Sequence, residues 1–415
     1  MQAAFAESGI MLTFAMMSSI AIIGAGAAGC FAAANLCGAA KVDVYESASR
    51  PMAKLAITGG GRCNISNTFE GMRSAEEAYP RGARLMKRAL KEFSPEDTLS
   101  WFTRAGVGGF VTEPDGCIFP ASQDAMEIVR TLSRKMAGAS VHCGMKAVSL
   151  KPSAGSWLIG FADGSTAVAD SVLVTSGGAP RGLPLLEGLD IPWVPCVPSL
   201  FTFTVNDPAL RSLTGLVVPS SLTIPGTSFR SSGPLLITDW GLSGPAVLKM
   251  SSYAARYLHD KGYNSSLSIN WAALSQAEVE TGLQAFLSEG TQKMLSGAAP
   301  FHLPLRLWQY IIGVAGIRQD IRRGEVGVKG FRKLSASLTA TPCHIDGRNH
   351  FRDEFVTCGG VDLSAVDPST MQCRLHPGLF FAGEVMDIDA ITGGFNLQAA
   401  WSTAYIASRA MAIRK

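Results

Sequence analysis

The sequence has no CxxC pair, no HxH and no HExxH, and its nine cysteines are odd in number and widely separated. Neither a disulfide framework nor a zinc site is expected from such a pattern, so reduced thiols in a cytoplasmic setting fit best and no metal is anticipated. No run reaches the ~18 uninterrupted apolar residues of a membrane helix. The opening stretch carries Glu7 but no lysine or arginine, so the basic region of a secretion signal is missing too. A membrane partner is not expected. Charge is scarce: charged residues are 17% of the chain, and 36 Lys and Arg against 33 Asp and Glu leave a net charge of +3. The densest basic cluster, Arg318 to Arg323 with Lys329, Arg332 and Lys333, is interrupted by apolar residues and glycine and reads as a solvated helix face. No nucleic-acid partner is expected from it.

What is present is a chain of 415 residues, enough for two or three domains, with 44 Gly and 21 Pro spread along it. Residues 1–18 read as a frayed tail, with Met16 or Met17 as alternative starts. Ile20 to Ile23 is a short apolar run that leads directly into Gly24-Ala-Gly26-Ala-Ala-Gly29, and small helix formers follow to Leu36. After a turn at Gly38 comes Val42 to Glu46, a second strand ending in an acid. The unit reads β-α-β with GxGxxG at the first turn. Gly24 turns the chain, Gly26 lets the backbone approach a pyrophosphate, and Gly29 lets the helix sit close on the strand. Ala27 and Ala28 open the helix and offer it their N–H groups. Glu46, with Ser47 beside it, lies where a carboxylate accepts from an adenosine ribose, and its charge disfavours a 2′-phosphate.

The motif alone does not separate FAD from NAD. Downstream, Lys54 to Asn64 (KLAITGGGRCN) places Gly59, Gly60 and Gly61 before Arg62 and Asn64. Consecutive glycines forfeit backbone entropy, so close approach to a flat ligand is their expected use, with a flexible hinge as the alternative. Cys63, beside Arg62, is either a low-pKa thiolate or a small residue that fits a tight turn. Near the other end, Leu379 to Ala382 is a buried-strand run followed by Gly383, Glu384, Gly393, Gly394, Phe395 and Asn396 and then an apolar helix to Met411. Glu384, at a strand end, suits a ribityl hydroxyl; a helix starting at Phe395 or Asn396 aims its N–H groups at the N1/C2=O edge of a flavin. Ser171 to Thr175 is a further strand ending at Gly177 and Gly178, for which ligand proximity and a plain turn are both open. Val111 to Pro120 reads as a hairpin turning at Asp115-Gly116. Gly244-Pro245 reads as a helix start, with ligand contact as the alternative.

These segments, together with DWGLSGP at 239 to 245 and LFFAGEVMDIDAITGGFNLQAAW at 379 to 401, resemble the HI0933-like flavoproteins, also called BaiN-type or aminoacetone-oxidase-like FAD enzymes. The resemblance spans residues 20 to 411. It implies an α/β fold of the two-dinucleotide-binding kind: a discontinuous Rossmann-type FAD domain carrying an inserted substrate domain. It also implies that Gly24, Gly26, Gly29 and Glu46 surround the ADP moiety, that Lys54, Gly60, Arg62 and Asn64 lie near the isoalloxazine, and that Glu384, Gly394 and Asn396 hold its far edge. This chain has Thr175-Ser176 where Ala-Thr is usual, and Ala390-Ile391 where Gly-Pro is common.

The domain reading is an FAD domain over 19–195 and 345–415, with an inserted substrate domain over 196–344 that begins after Pro192, Pro195 and Pro198. Within the insert, 196–240 reads as a small β-barrel and 241–335 as helical. No second GxGxxG exists, so NAD(P)H, the candidate electron donor, has no domain of its own. The expected function is NAD(P)H-dependent reduction of an activated C=C bond in a small apolar molecule. An amine or aminoketone oxidase that uses dioxygen and a flavin-binding sensor without turnover are the alternatives. Flavin carries the hydride itself, so no catalytic acid or base need leave a motif, and none is visible.

Overall fold

The computed structural model describes residues 17–179, 183–349 and 356–413. The expected tail, except Met17 and Ser18, and the alternative start Met16 lie outside the described residues. Five parallel strands form the central sheet: β1 (Ser19–Ile23), β2 (Lys41–Glu46), β3 (Ser140–Cys143), β4 (Ser171–Val174) and β5 (Leu379–Phe381), in the spatial order β5-β4-β1-β2-β3. The apolar runs in β1, β4 and β5 are explained by helices and loops covering both faces, so these strands need no polar alternation. Helix α1 (Ala27–Leu36) is apolar nearly all round because it is buried, wedged between the sheet and the long C-terminal helix α3 (Phe395–Ile413). Between them in the chain lies α2 (Ala83–Glu92), which runs beside α3.

Two smaller sheets decorate this layer. The expected hairpin is formed by Phe110–Thr112 and Cys117–Pro120, with Ser66–Asn67 added at one edge. A meander of Ala147–Ser153, Ser156–Phe161 and Thr166–Ala169 fills the connection from β3 to β4.

One hydrophobic core draws on residues up to Leu189 and again from Val361, while a second draws on Phe201 to Ile345. The proline-rich stretch that separates them is itself a strand: Trp193–Ser199 pairs antiparallel with Val356–Val361, its register shifting between Val194 and Val197 around Pro195. The second core sits inside a seven-stranded sheet whose edge strands, Thr341–Ile345 and Gly347–Arg348, are separated in sequence only by Asp346. The sheet therefore curls until its two edges become one bent strand; it is wider than the barrel expected over 196–240, since Gly241–Ser243, Ser265–Asn270, Thr341–Ile345 and Gly347–Arg348 all join it. Trp271 and Trp308, both fully buried, fill its helical side.

Two expectations are corrected here. Ser265–Asn270 lies in the stretch read as helical but is a barrel strand, pairing with Val217–Thr223 and Thr341–Ile345. The basic stretch is not one helix face: a helix covers Val328–Thr339 alone, and Arg323 is buried at 6% exposure. Its guanidinium stacks on Phe286 at 3.8 Å and donates from one nitrogen to the carbonyls of Phe286 and Glu289, which offsets part of the water it loses.

Candidate functional site

The three glycines of the first turn are required for different reasons. Gly24 has φ +106°, and a Cβ there would lie 2.6 Å from the Thr175 carbonyl oxygen. On Gly29 a Cβ would lie 2.0 Å from the Gly24 carbonyl oxygen. Gly26 has φ −81° and nothing within 4 Å of its Cβ position, so no protein contact demands glycine there. Its open side faces whatever the turn holds. No side chain caps α1, so its first N–H groups, including those of Ala27 and Ala28, have no capping acceptor. Thr175, where alanine is usual, donates its hydroxyl to the Gly24 carbonyl at 2.8 Å and so stitches β4 to the turn.

The Glu46 carboxylate is aimed by the backbone: Ala25 N–H donates to Oε2 at 2.8 Å and Ala48 N–H to Oε1 at 2.7 Å. Ser47 also donates to Oε1, so its hydroxyl supports the acid. Met52 N–H donates to the Ala25 carbonyl and ties the following loop to the same turn. In that loop Gly59, Gly60 and Gly61 have φ of +59°, +67° and +82°, a succession that L side chains rarely adopt. The turn is held by Gly61 N–H to the Ile57 carbonyl and Cys63 N–H to the Thr58 carbonyl. Gly60 and Gly61 have open space at their Cβ positions.

Arg62 faces the hairpin. It donates to Glu113 at 2.7 Å and lies 4.1 Å over the Phe119 ring. The thiolate reading of Cys63 is corrected: the residue is fully buried and burial pushes its thiol up to about 12. Asn64 is the informative neighbour. Its Oδ1 is buried with no hydrogen-bond partner among the described residues, and a Cβ on Gly394 would lie 2.6 Å from it.

At the opposite rim, Glu384 Oε1 accepts the Thr357 N–H at 2.7 Å and also faces the Gly178 N–H. Burial raises its carboxyl, and the exposed Lys54 opposes that rise. Gly177 and Gly178 stand against this carboxylate, at 3.6 and 3.1 Å from their Cβ positions, so the structure brings both glycines and Glu384 together, while Lys54 acts on the carboxylate only through its charge. Gly383 closes the circle, since a Cβ there would lie 3.1 Å from that of Ala28. Gly393 and Gly394, at φ +129° and +88°, lead into α3, whose first residue Phe395 is buried and has its carbonyl bound by the Tyr79 hydroxyl. The Asn396 side chain is used internally: its Oδ1 accepts from Ala390 N–H and its Nδ2 donates to the Ala390 carbonyl. That bracket fixes the Ala390-Ile391 segment where Gly-Pro is usual.

Sequence reasoning missed Thr357 and a buried ion pair behind the rim. Asp389, at 0% exposure, takes two bonds from the Arg81 guanidinium and one from the Ser199 hydroxyl, while Arg81 also donates to the Ser252 carbonyl in the barrel domain. A distance of 308 residues separates the partners. No short motif marks such a pair.

The site fits FAD on its own chemistry: an open glycine at a helix start, an aimed acid at the end of β2, a triple-glycine turn with open faces, and an unpartnered buried amide oxygen beside a second helix start. The HI0933-like protein Rossmann domain model matches residues 18–410. An Escherichia coli protein named ribosomal RNA dihydrouridine synthase is 31% identical over 401 residues, covering 92% of this chain and 95% of that one. The 3-dehydro-bile acid delta(4,6)-reductase of Clostridium scindens is 29% identical over 419 residues, covering 96% and 100%. Among solved structures, the 3-ketosteroid delta1-dehydrogenase of Sterolibacterium denitrificans superposes with a TM-score of 0.51 at 11% identity, covering 96% of this chain and 100% of that one, which shows a shared fold. The chain belongs to the HI0933-like family and is an FAD-dependent oxidoreductase.

Proposed function

We propose that the protein catalyses NAD(P)H-dependent reduction of a ring C=C bond conjugated to a carbonyl, with the substrate held between the Rossmann and barrel domains. The carrying observation is chemical. Two relatives named for different products, a dihydrouridine and a delta(4,6)-reduced bile acid, both saturate a C=C bond in conjugation with a ring carbonyl. Bound FAD supplies the two-electron hydride chemistry. The chain's own residues do the positioning. Gly26 and the start of α1 take the pyrophosphate, Glu46 the ribose, and Glu384 with Gly177 and Gly178 the ribityl chain. Asn64 Oδ1 supplies an acceptor for an N–H of the isoalloxazine edge, and the start of α3 after Gly394 favours negative charge there. The absence of a second GxGxxG supports nicotinamide and substrate taking turns at one face.

The substrate has two readings. A small apolar enone is the first. The second is a uracil ring in RNA, which the 31% identity to the E. coli relative favours. The test is anaerobic addition of NADH or NADPH to the purified flavoprotein, followed by a cyclic enone or by uridine-containing RNA. Bleaching by nicotinamide and reoxidation by either substrate supports the proposal and selects the reading. A flavin band that nicotinamide leaves unbleached overturns it in favour of an oxidase fed by its own substrate.

A further inference from the structure

Helix α2 buries Leu85, Met86 and Ala89 and turns Arg84, Lys87, Arg88 and Lys91 to solvent. Positions three, four and seven apart share one face, so the four cations form a stripe about 10 Å long. None of them makes an ion pair or hydrogen bond among the described residues, whereas Arg130, Arg318 and Arg409 each hold a carboxylate. Two carboxylates interact with the stripe at longer range. Glu76 on the preceding helix lies near Lys87, and Asp367 lies near Arg88 and is shared with Arg374. Glu92, in the last turn, is occupied by Arg409. No carboxylate among the described residues thus stands within ion-pair distance of the four cations, in a protein whose whole-chain balance is only +3.

The stripe is also placed. Arg81, just before α2, grips Asp389, and Glu92 at its other end meets Arg409 at the far end of α3. The two helices therefore run side by side in the same direction. The cations lead away from the Gly393-Gly394 turn at the start of α3.

We infer that the exposed face of α2 docks the phosphate backbone of an RNA. This inference rests on the uracil reading of the substrate. The apolar face of α2 is committed to the core, so the helix has nothing to insert into a lipid surface, and its attraction is electrostatic. A polyphosphate matches a stripe of unpaired cations beside a site that handles one ring at a time: phosphate contacts set the register and the pocket reads the base.

The test uses the full-length FAD-loaded protein and protein-free ribosomal RNA. The variant Arg84→Gln/Lys87→Gln/Arg88→Gln/Lys91→Gln keeps helix-forming side chains of similar length. Its control is Lys329→Gln/Arg332→Gln/Lys333→Gln, three exposed cations of the barrel domain's last helix. The α2 variant should weaken RNA binding on the order of 100-fold near 0.15 M salt and flatten the slope of log K against log salt by about 3, for four contacts. Its flavin content and its bleaching by nicotinamide should stay at wild-type level. A wild-type slope in the α2 variant, with uridine in RNA still reduced, overturns the docking surface and leaves the uracil reading standing. Equal flattening by the control assigns the effect to diffuse charge and overturns it as well. Competition by poly-glutamate as effective as by RNA assigns the stripe to an acidic protein instead. Wild-type protein that neither binds RNA nor reduces its uridines, while reducing an enone, removes both the reading and the surface.

Discussion

Replacing Gly26 or Gly29 by alanine adds the same methyl group to the same turn, three residues apart, and the structure assigns the two changes opposite consequences. At Gly29 the methyl would sit 2.0 Å from the Gly24 carbonyl oxygen and 2.6 Å from Thr175 Oγ1. Ordinary contact begins at about 3.4 Å, so a main-chain atom of the turn must move by more than 1 Å, or α1 must lift off β1. Overpacking against backbone of this kind costs about 3 kcal/mol or more, a large part of a typical total stability of roughly 5–15 kcal/mol. At Gly26 the backbone is one that alanine adopts and the methyl meets nothing within 4 Å. Loss of glycine at a helix N-cap costs about 1 kcal/mol or less. Denaturant unfolding of the two apoproteins should therefore separate Gly29→Ala from wild type while Gly26→Ala stays close. Titration with FAD should reverse the order of interest: folded Gly26→Ala should bind at least tenfold more weakly, about 1.4 kcal/mol, because its methyl would occupy the proposed approach of the pyrophosphate. If apo Gly26→Ala unfolds as early as Gly29→Ala, or if it retains wild-type FAD affinity, the open side of Gly26 is not a ligand surface and the assignment of the turn fails.

Three further outcomes follow from the geometry. Burial raises the Glu384 carboxyl, so its protonated form is the one the apo fold favours; that contribution is whole below about pH 4.5 and is lost as pH rises through the higher folded value. The stability of apo Glu384→Gln should accordingly fall less between pH 5 and pH 8 than that of wild type, and an unchanged pH slope would show that Glu384 does not titrate there. Removing Arg81 strands the Asp389 carboxylate at 0% exposure: Arg81→Met should cost about 3–5 kcal/mol, and Arg81→Met/Asp389→Leu should recover much of it. Equal losses in the single and double variants in denaturant melts would deny the pair that role. With its thiol pushed up to about 12 and no exposure, Cys63 should resist iodoacetamide at pH 8 in the native holoprotein while exposed Cys143 reacts; labelled Cys63 in a peptide digest would contradict the burial.

The parts of the site that were legible in the sequence are those whose cause is local. Gly24, Gly29 and the run 59–61 are glycine because of backbone angles or contacts set within a few residues, and strands β1, β4 and β5 announce themselves as short apolar runs ending in those turns. The partners of side chains were not legible. Arg62 turns to a glutamate 51 residues on and away from the turn that carries it. Asn396 spends its amide on Ala390, and Arg81 finds Asp389 across most of the chain. Strand Ser265–Asn270 was hidden because SSLSIN is short, mostly polar and flanked by good helices; its pairing on both sides decides the matter. Charge density along the chain ranked 318 to 333 first, yet Arg323 there is buried. The helix gathers Arg84, Lys87, Arg88 and Lys91 onto one face although Leu85, Met86, Ala89 and Leu90 interrupt them in the sequence.

The order of strands in the central sheet has a consequence for synthesis. Strand β4 has β1 on one side and β5 on the other, and β5 leaves the ribosome roughly 200 residues after β4, a delay on the order of 10 to 40 s. For that interval the Ser171–Val174 edge, apolar on both faces, lacks its second neighbour, and Gly177 and Gly178 lack the Glu384 carboxylate that stands against them. The barrel has time to fold first, while the Rossmann half waits as an open sheet. On the proposed cofactor site, FAD capture and closure of that edge would be a single late event, so raising flavin supply during expression should increase the yield of soluble chain as well as its yellow fraction.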